Sequence, residues 1–175
     1  MDDSAGGPAT QTRGLGEADL STLEVAELLT WGDAVVGFEH ASGTLFAEVE
    51  ARMGLSRSSF ELLQRLLRAP EQRAPITQLA RTLIFSSGGM TKLADRLVEA
   101  GLVERVPSPD DRRVINLALT DAGLTSARAA ARIFIDALRR TVVSQVGEDQ
   151  YQQLVALLSG LSGADAGCAQ SGSGP

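Results

Sequence analysis

The chain has 175 residues, 43 % hydrophobic but only 4 % aromatic, with 16 basic against 22 acidic side chains and a net charge of -6 at pH 7. That length fits one domain with appended helices or tails, and the acidic balance argues against indiscriminate binding to nucleic acid while leaving room for a local site. A single cysteine, Cys168, excludes an intrachain disulfide, and a single histidine, His40, excludes a histidine-based metal cluster.

The opening MDDSAGGPATQTRGLG is acidic and Gly-rich, the opposite of a secretory signal. No run approaches the ~18 apolar residues of a membrane span. A cytoplasmic protein with no cofactor and no membrane partner is expected. Residues 1–16 and 162–175 read as flexible tails, and Cys168 in the second is either a redox sensor or an incidental thiol.

Residues 17–55 form a helical region. From Ala18 to about Met53, the residues Trp31, Val35, Phe38, Ser42, Leu45 and Val49 recur every three or four positions, one face of a helix. Gly32, Gly37 and Gly43 threaten its continuity. Ser56 is the N-cap of a second helix with Phe60, Leu63, Leu66 and Leu67 as its buried stripe, and APEQRAP breaks it. A short helix, about Thr77 to Leu83, is interrupted by IFSSGG. The next runs from Ser87 to Ala100, with Met90, Leu93, Ala94, Leu97 and Val98 apolar, and stops at Gly101, where a positive φ is needed. LVERV and VINLAL are two strands of a hairpin. Thr120 caps a long helix, about Asp121 to Val146, and Glu148 to Leu161 forms the last.

The order is therefore α-α-α-α-β-β-α-α, mainly helical with a small β-hairpin. Two helices joined by a tight turn and followed at once by a hairpin describe a winged helix-turn-helix over residues 56–120, the second helix suited to a major groove and the hairpin tip to the adjacent backbone or minor groove. Ser86, Ser87, Gly88 and Gly89 put small residues and free N–H groups at that helix's N-terminus, where a phosphate can approach. Thr91, Lys92, Asp95, Arg96 and Glu99 are its polar face, and Thr91 and Lys92 are placed to meet base edges. At the tip, PSPDDRR, the prolines stiffen the turn, Arg112 or Arg113 can enter a narrow minor groove, and Asp111 pairs with a neighbouring arginine. From Ser86 to Ile115 five cations match five acids, so this segment is neutral while the rest of the chain carries the whole -6. The alternatives are a hairpin of solvated charge pairs and a winged helix that docks on a protein.

ITQLARTLIFSSGGMTKLADRLVEAGLVERVPSPDDRRVINLALTDAG resembles the core of the MarR (multiple antibiotic resistance regulator) family, through Leu79-Ala80, Ser87-Gly88, Thr91, Asp95-Arg96-Leu97, Gly101-Leu102-Val103, Arg105, Asp111-Arg112-Arg113 and Leu119-Thr120…Gly123. The resemblance is specific over about residues 56–124 and topological over 20–161. It implies a homodimer held by the terminal helices (17–55 and 121–161), a pseudo-palindromic operator in double-stranded DNA, and repression relieved by a small aromatic or acidic effector. SSG at the recognition helix and Trp31 on the first helix resemble the urate-responsive branch. Glu61 stands where that branch reads Asp, and Lys92-Leu93 where it reads Asn-Arg. The guanidinium is missing at Leu93 while Arg105 remains, so a ligand other than urate is expected, in a cleft bounded by Trp31, Phe38, Glu61 and Arg105.

Each of these residues has a plainer reading. Trp31 packs a dimer core or walls a ligand; His40 is a surface or helix-packing residue; Glu61 and Arg65, one turn apart, form a helix ion pair. Arg128, Arg132, Arg139 and Arg140 follow DNA phosphates or line a solvated helix face. No Ser-His-acid set, P-loop or carboxylate pair in an apolar run is present, so no enzyme is expected.

Overall fold

The computed structural model describes residues 21–161 except 110 and 112; the predicted tails, Cys168, residues 17–20 and Arg112 lie outside the described residues. Helix α1 (Thr22–Met53) is a single 32-residue element. It begins at a capping box: Ser21 Oγ accepts from the Glu24 amide, and the Glu24 carboxylate accepts from the Ser21 amide at 2.8 Å and its hydroxyl at 2.7 Å. Those bonds hold the Glu24 carboxyl below the usual carboxylate range. Gly32, Gly37 and Gly43 do not interrupt the helix; each costs about 1 kcal/mol relative to Ala but imposes no turn. Gly54, at φ +67°, ends it.

The chain divides into two units, one ending at Phe38 and the other starting at Glu39. In the first, every described residue is exposed, including the apolar Leu28, Leu29, Trp31, Val35, Val36 and Phe38. The predicted apolar stripe of α1 is thus buried only at its far end, at Leu45 and Val49 in the second unit.

The second unit is built on α2 (Arg57–Arg68), whose cap Ser56 accepts from the Ser59 amide as the sequence implies. Phe60, Leu63 and Leu66 are buried as expected, and Leu62 joins them. A 3-10 turn (Pro70–Gln72) leads into strand β1 (Arg73–Pro75), then α3 (Ile76–Thr82), α4 (Ser87–Glu99), β2 (Val103–Pro107) and β3 (Ile115–Leu119). Met90, Leu93, Ala94 and Leu97 of α4 are buried against this core, while Val98 is exposed. Gly101 adopts φ +68° and stops α4.

The expected hairpin is present, pairing Val103 with Leu119 through to Pro107 with Ile115. It is the larger part of a three-stranded antiparallel sheet of order β1-β3-β2, in which Ala74 pairs with Leu117. The third strand is a correction: APEQRAP ends α2 but also supplies β1. With strands on both sides, β3 buries the adjacent residues Asn116 and Leu117, which point to opposite faces.

Helix α5 (Asp121–Leu138) begins at Thr120, whose hydroxyl accepts from the Gly123 amide at 3.0 Å and donates to the Gly101 carbonyl at 2.7 Å. One side chain therefore fastens the end of α4 to the start of α5. A π-helical stretch (Arg139–Val143) and a single turn, α6 (Ser144–Val146), continue it; Gly147 at φ +87° separates α7 (Glu148–Leu161). Helices α2 and α5 are joined by Gln64 Nε2 donating to the Ala127 carbonyl at 2.8 Å. Phe46, Phe60 and Phe134 form one aromatic cluster, with Phe60 and Phe134 stacked at 5.1 Å between centroids. Among the described residues no helix is long and apolar enough to cross a membrane.

Candidate nucleic-acid interface

The sequence of α4 divides cleanly into two faces. Met90, Leu93, Ala94 and Leu97 are buried, which leaves Ser87, Gly88, Thr91, Lys92, Asp95, Arg96 and Glu99 outward. Ser86 caps the helix, its hydroxyl accepting from the Gly89 amide at 3.2 Å. At Gly88 an added Cβ would meet nothing within 4 Å, so this end stays open to a large ligand. Thr91 Oγ1 donates to the Ser87 carbonyl at 2.9 Å. Its proton is therefore engaged, and what it offers a partner is a lone pair and a methyl group.

Charge on this face is not evenly available. Lys92, Arg96 and Arg113 are exposed and have no ion-pair partner among the described residues. Two of the acids, Asp95 and Asp111, are engaged, while Glu99 and Glu104 are exposed with no ion-pair partner among the described residues. Asp95 Oδ1 lies 2.8 Å from Nη2 of Arg105, on β2. Asp111 Oδ1 accepts from the backbone amide of Arg113 at 2.9 Å, while the Asp111 carbonyl accepts from Val114 and the Val114 carbonyl from Ser108. Asp111 therefore shapes the hairpin turn through the backbone. Such a turn, an aspartate folded back two residues along the chain, uses one carboxylate oxygen on the amide; the expected partner Arg112 lies outside the described residues. Among the described residues the tip presents Arg113.

The effector residues named from sequence fall into different settings. Trp31 and Phe38 belong to the first unit. Glu61 and Arg105 belong to the second, and each is already paired. Glu61 Oε1 accepts from Arg57 Nε at 3.0 Å, which replaces the expected pair with Arg65. Arg57 is held in place by the Phe46 ring beneath it, 4.5 Å from the guanidinium carbon, and by Glu39 at 3.7 Å. Of the long-helix arginines, Arg140 grips Glu48 through two contacts of 2.7 and 2.8 Å, while Arg128, Arg132 and Arg139 are exposed.

Sequence reasoning missed a groove of about 570 Å³ in the second unit, between α2, the α3–α4 turn and α5. Phe60 and Phe134 give it an aromatic wall; Glu61, Arg65 and Arg68 give it charge; Leu83, Ile84 and Ile135 line it further. Arg57, Arg65 and Arg68 are visible in the sequence as a recurring basic edge of α2, but only packing shows that they face the same cavity as the two phenylalanines.

Two helices, a tight turn, a three-stranded sheet with a projecting hairpin and an outward cationic face define a winged helix-turn-helix. The MarR family model matches residues 53–114. The HTH-type transcriptional regulator PecS of Dickeya dadantii (strain 3937) is 31 % identical over 113 residues, 63 % of this chain and 67 % of PecS. The multiple antibiotic resistance protein MarR of Escherichia coli (strain K12) is 30 % identical over 81 residues, 46 % of this chain and 56 % of that protein. In fold, the chain is similar to Sco3205, a MarR family transcriptional regulator from Streptomyces coelicolor solved in complex with DNA, with a TM-score of 0.72 at 22 % identity over 86 % of this chain and 94 % of that one. AbsC from the same organism gives 0.70 at 21 % identity over 83 % and 95 %. The chain belongs to the MarR family of transcriptional regulators.

Proposed function

We propose that the protein works in the cytoplasm as a homodimeric repressor that binds a pseudo-palindromic operator and is released by a small aromatic or acidic effector. One observation carries the DNA reading: on the face shared by α4 and the wing, Lys92, Arg96 and Arg113 are free among the described residues, whereas Asp95 and Asp111 are engaged within the protein. Residues Thr91 and Lys92 read bases in the major groove, Ser86, Ser87 and Gly88 receive a phosphate at the helix N-terminus, and Arg113, with Arg112 beside it in the sequence, enters the minor groove. That Sco3205, similar in fold, was solved in complex with DNA supports this reading.

Exposed apolar side chains support the dimer: Leu28, Trp31 and Phe38 in the first unit, and Leu154, Leu157, Leu158 and Leu161 on α7. Patches of this kind mark interfaces. The groove on α2 and α5 supports the effector, since its volume falls in the range of small-molecule sites and it joins an aromatic wall to the arginines Arg65 and Arg68.

The test is fluorescence anisotropy against duplexes enriched from a random pool by the full chain. Three cations per protomer that are unpaired on this face among the described residues give six per dimer, so log K should fall against log salt with a slope near about -5. Sedimentation should show a dimer at micromolar concentration, and an aromatic carboxylate such as benzoate should lower the affinity. A chain that shifts no duplex at any salt would instead be a protein-docking winged helix.

A further inference from the structure

We propose that Arg105 is a positioning residue of the DNA interface: it neutralises Asp95 in the middle of the α4 face and ties that face to the base of the wing. The inference rests on the DNA-binding reading above. Lys92, Asp95, Arg96 and Glu99 are spaced i, i+3, i+4 and i+7, one stripe along the helix, on the side opposite the buried Met90, Leu93 and Leu97. A duplex laid on this stripe meets Asp95 between the two cations meant for it. A bare carboxylate there faces phosphates and the acceptors that dominate base edges, and repels both.

Arg105 answers that charge from another element. It sits on β2, paired in register with Leu117 of β3, and its Nη2 lies 2.8 Å from Asp95 Oδ1. The two side chains are 36 % and 57 % exposed, so the pair stands in solvent, where an ion pair contributes little to folding. Its effect grows when a partner displaces the water: a carboxylate buried against DNA without its cation is strongly unfavourable, and a mispaired charge at an interface acts on affinity and register. The same contact bridges the two elements that approach DNA, fixing the wing relative to the recognition helix. Arg105 is in that case no anion clamp for an effector.

The alternative is that Arg105 turns to a phosphate itself, and a double-mutant cycle separates the two. With the enriched duplex as probe, Arg105→Ala should weaken binding about tenfold. Asp95→Asn should bind like the wild type. Asp95→Asn/Arg105→Ala should recover to within about threefold of wild type, because the acid that needed masking is gone. Arg105→Lys should stay within about threefold, since a single N–O contact is all that is replaced. Thermal midpoints should be unchanged throughout. A double variant as weak as Arg105→Ala, with the salt slope reduced by about two because a dimer loses two contacts, makes Arg105 a phosphate contact and overturns the proposal alone. Wild-type protein that binds no duplex overturns the DNA reading and the proposal with it.

Discussion

Ile84 is the residue whose replacement should improve the protein. It follows the C-cap of α3 and has φ +56°, in the left-handed region. The hydrogen bonds around it are those of a Schellman motif: the Phe85 amide donates to the Ala80 carbonyl at 2.9 Å and the Ile84 amide to Arg81 at 3.3 Å. Glycine is the usual occupant, because Cβ crowds the carbonyl oxygen in this conformation and costs about 1–2 kcal/mol, more so for a β-branched side chain. Nothing offsets that through burial, for the side chain is 94 % exposed. Against it stands the greater freedom glycine gives the unfolded chain, about 0.5–1 kcal/mol. Ile84→Gly should therefore stabilise the protein by roughly 0.5–1 kcal/mol, which for a chain of this size raises the melting midpoint by about 1–4 °C. Urea unfolding at fixed protein concentration, needed because the stability of the proposed dimer would depend on it, should show a higher midpoint with unchanged slope. A lower midpoint would refute the reasoning: it would mean that Ile84 is covered by a partner and that its packing outweighs the strain.

Two further outcomes follow from particular contacts. Gly123→Ala should destabilise by about 2 kcal/mol or more, because the added Cβ would overlap the Leu102 carbonyl oxygen, a backbone atom that cannot swing aside; circular dichroism during urea unfolding measures it. Arg113→Ala should weaken binding to the enriched duplex by about 1–3 kcal/mol, whereas Thr91→Val, which removes the lone pair facing outward, should change which sequences a random pool yields; anisotropy and repeat selection separate loss of affinity from changed preference.

The winged core was legible because it is locally encoded. Ser56, Ser86 and Thr120 each mark a helix start by a side chain that accepts from the third residue on, and Gly101 marks a stop that only a positive φ explains. Strand β1 escaped because three residues ending in Pro75 carry no alternation to read, although two adjacent buried residues, Asn116 and Leu117, show that β3 is central. Side-chain partners escaped for a different reason. Glu61 has an arginine four residues away on either side, and the choice of Arg57 depends on Phe46, fifteen residues distant in sequence from Glu61 and brought near only by packing. Likewise, Arg105 and Asp95 are ten residues apart on different elements, so an arginine that looked available for an anion turned out to be engaged.

The same pairing resolves how a chain of net charge -6 can present an interface for a polyanion. Counted along the sequence, the α4–wing segment is neutral, and neutrality alone would draw no phosphate. What a duplex senses is the charge left unpaired at the protein surface, and folding engages part of the negative charge. The Asp111 carboxylate accepts from a backbone amide and Asp95 pairs with Arg105 of the wing, while Lys92, Arg96 and Arg113 are exposed without an ion-pair partner among the described residues. Because the outward charge is small, long-range attraction is weak and most random DNA should be left unoccupied. Binding must then come from short-range fit, with the recognition helix and wing held in one geometry. An acidic protein with a few free cations on a fixed frame is suited to discriminating among sequences, since little of its affinity is available to every duplex alike.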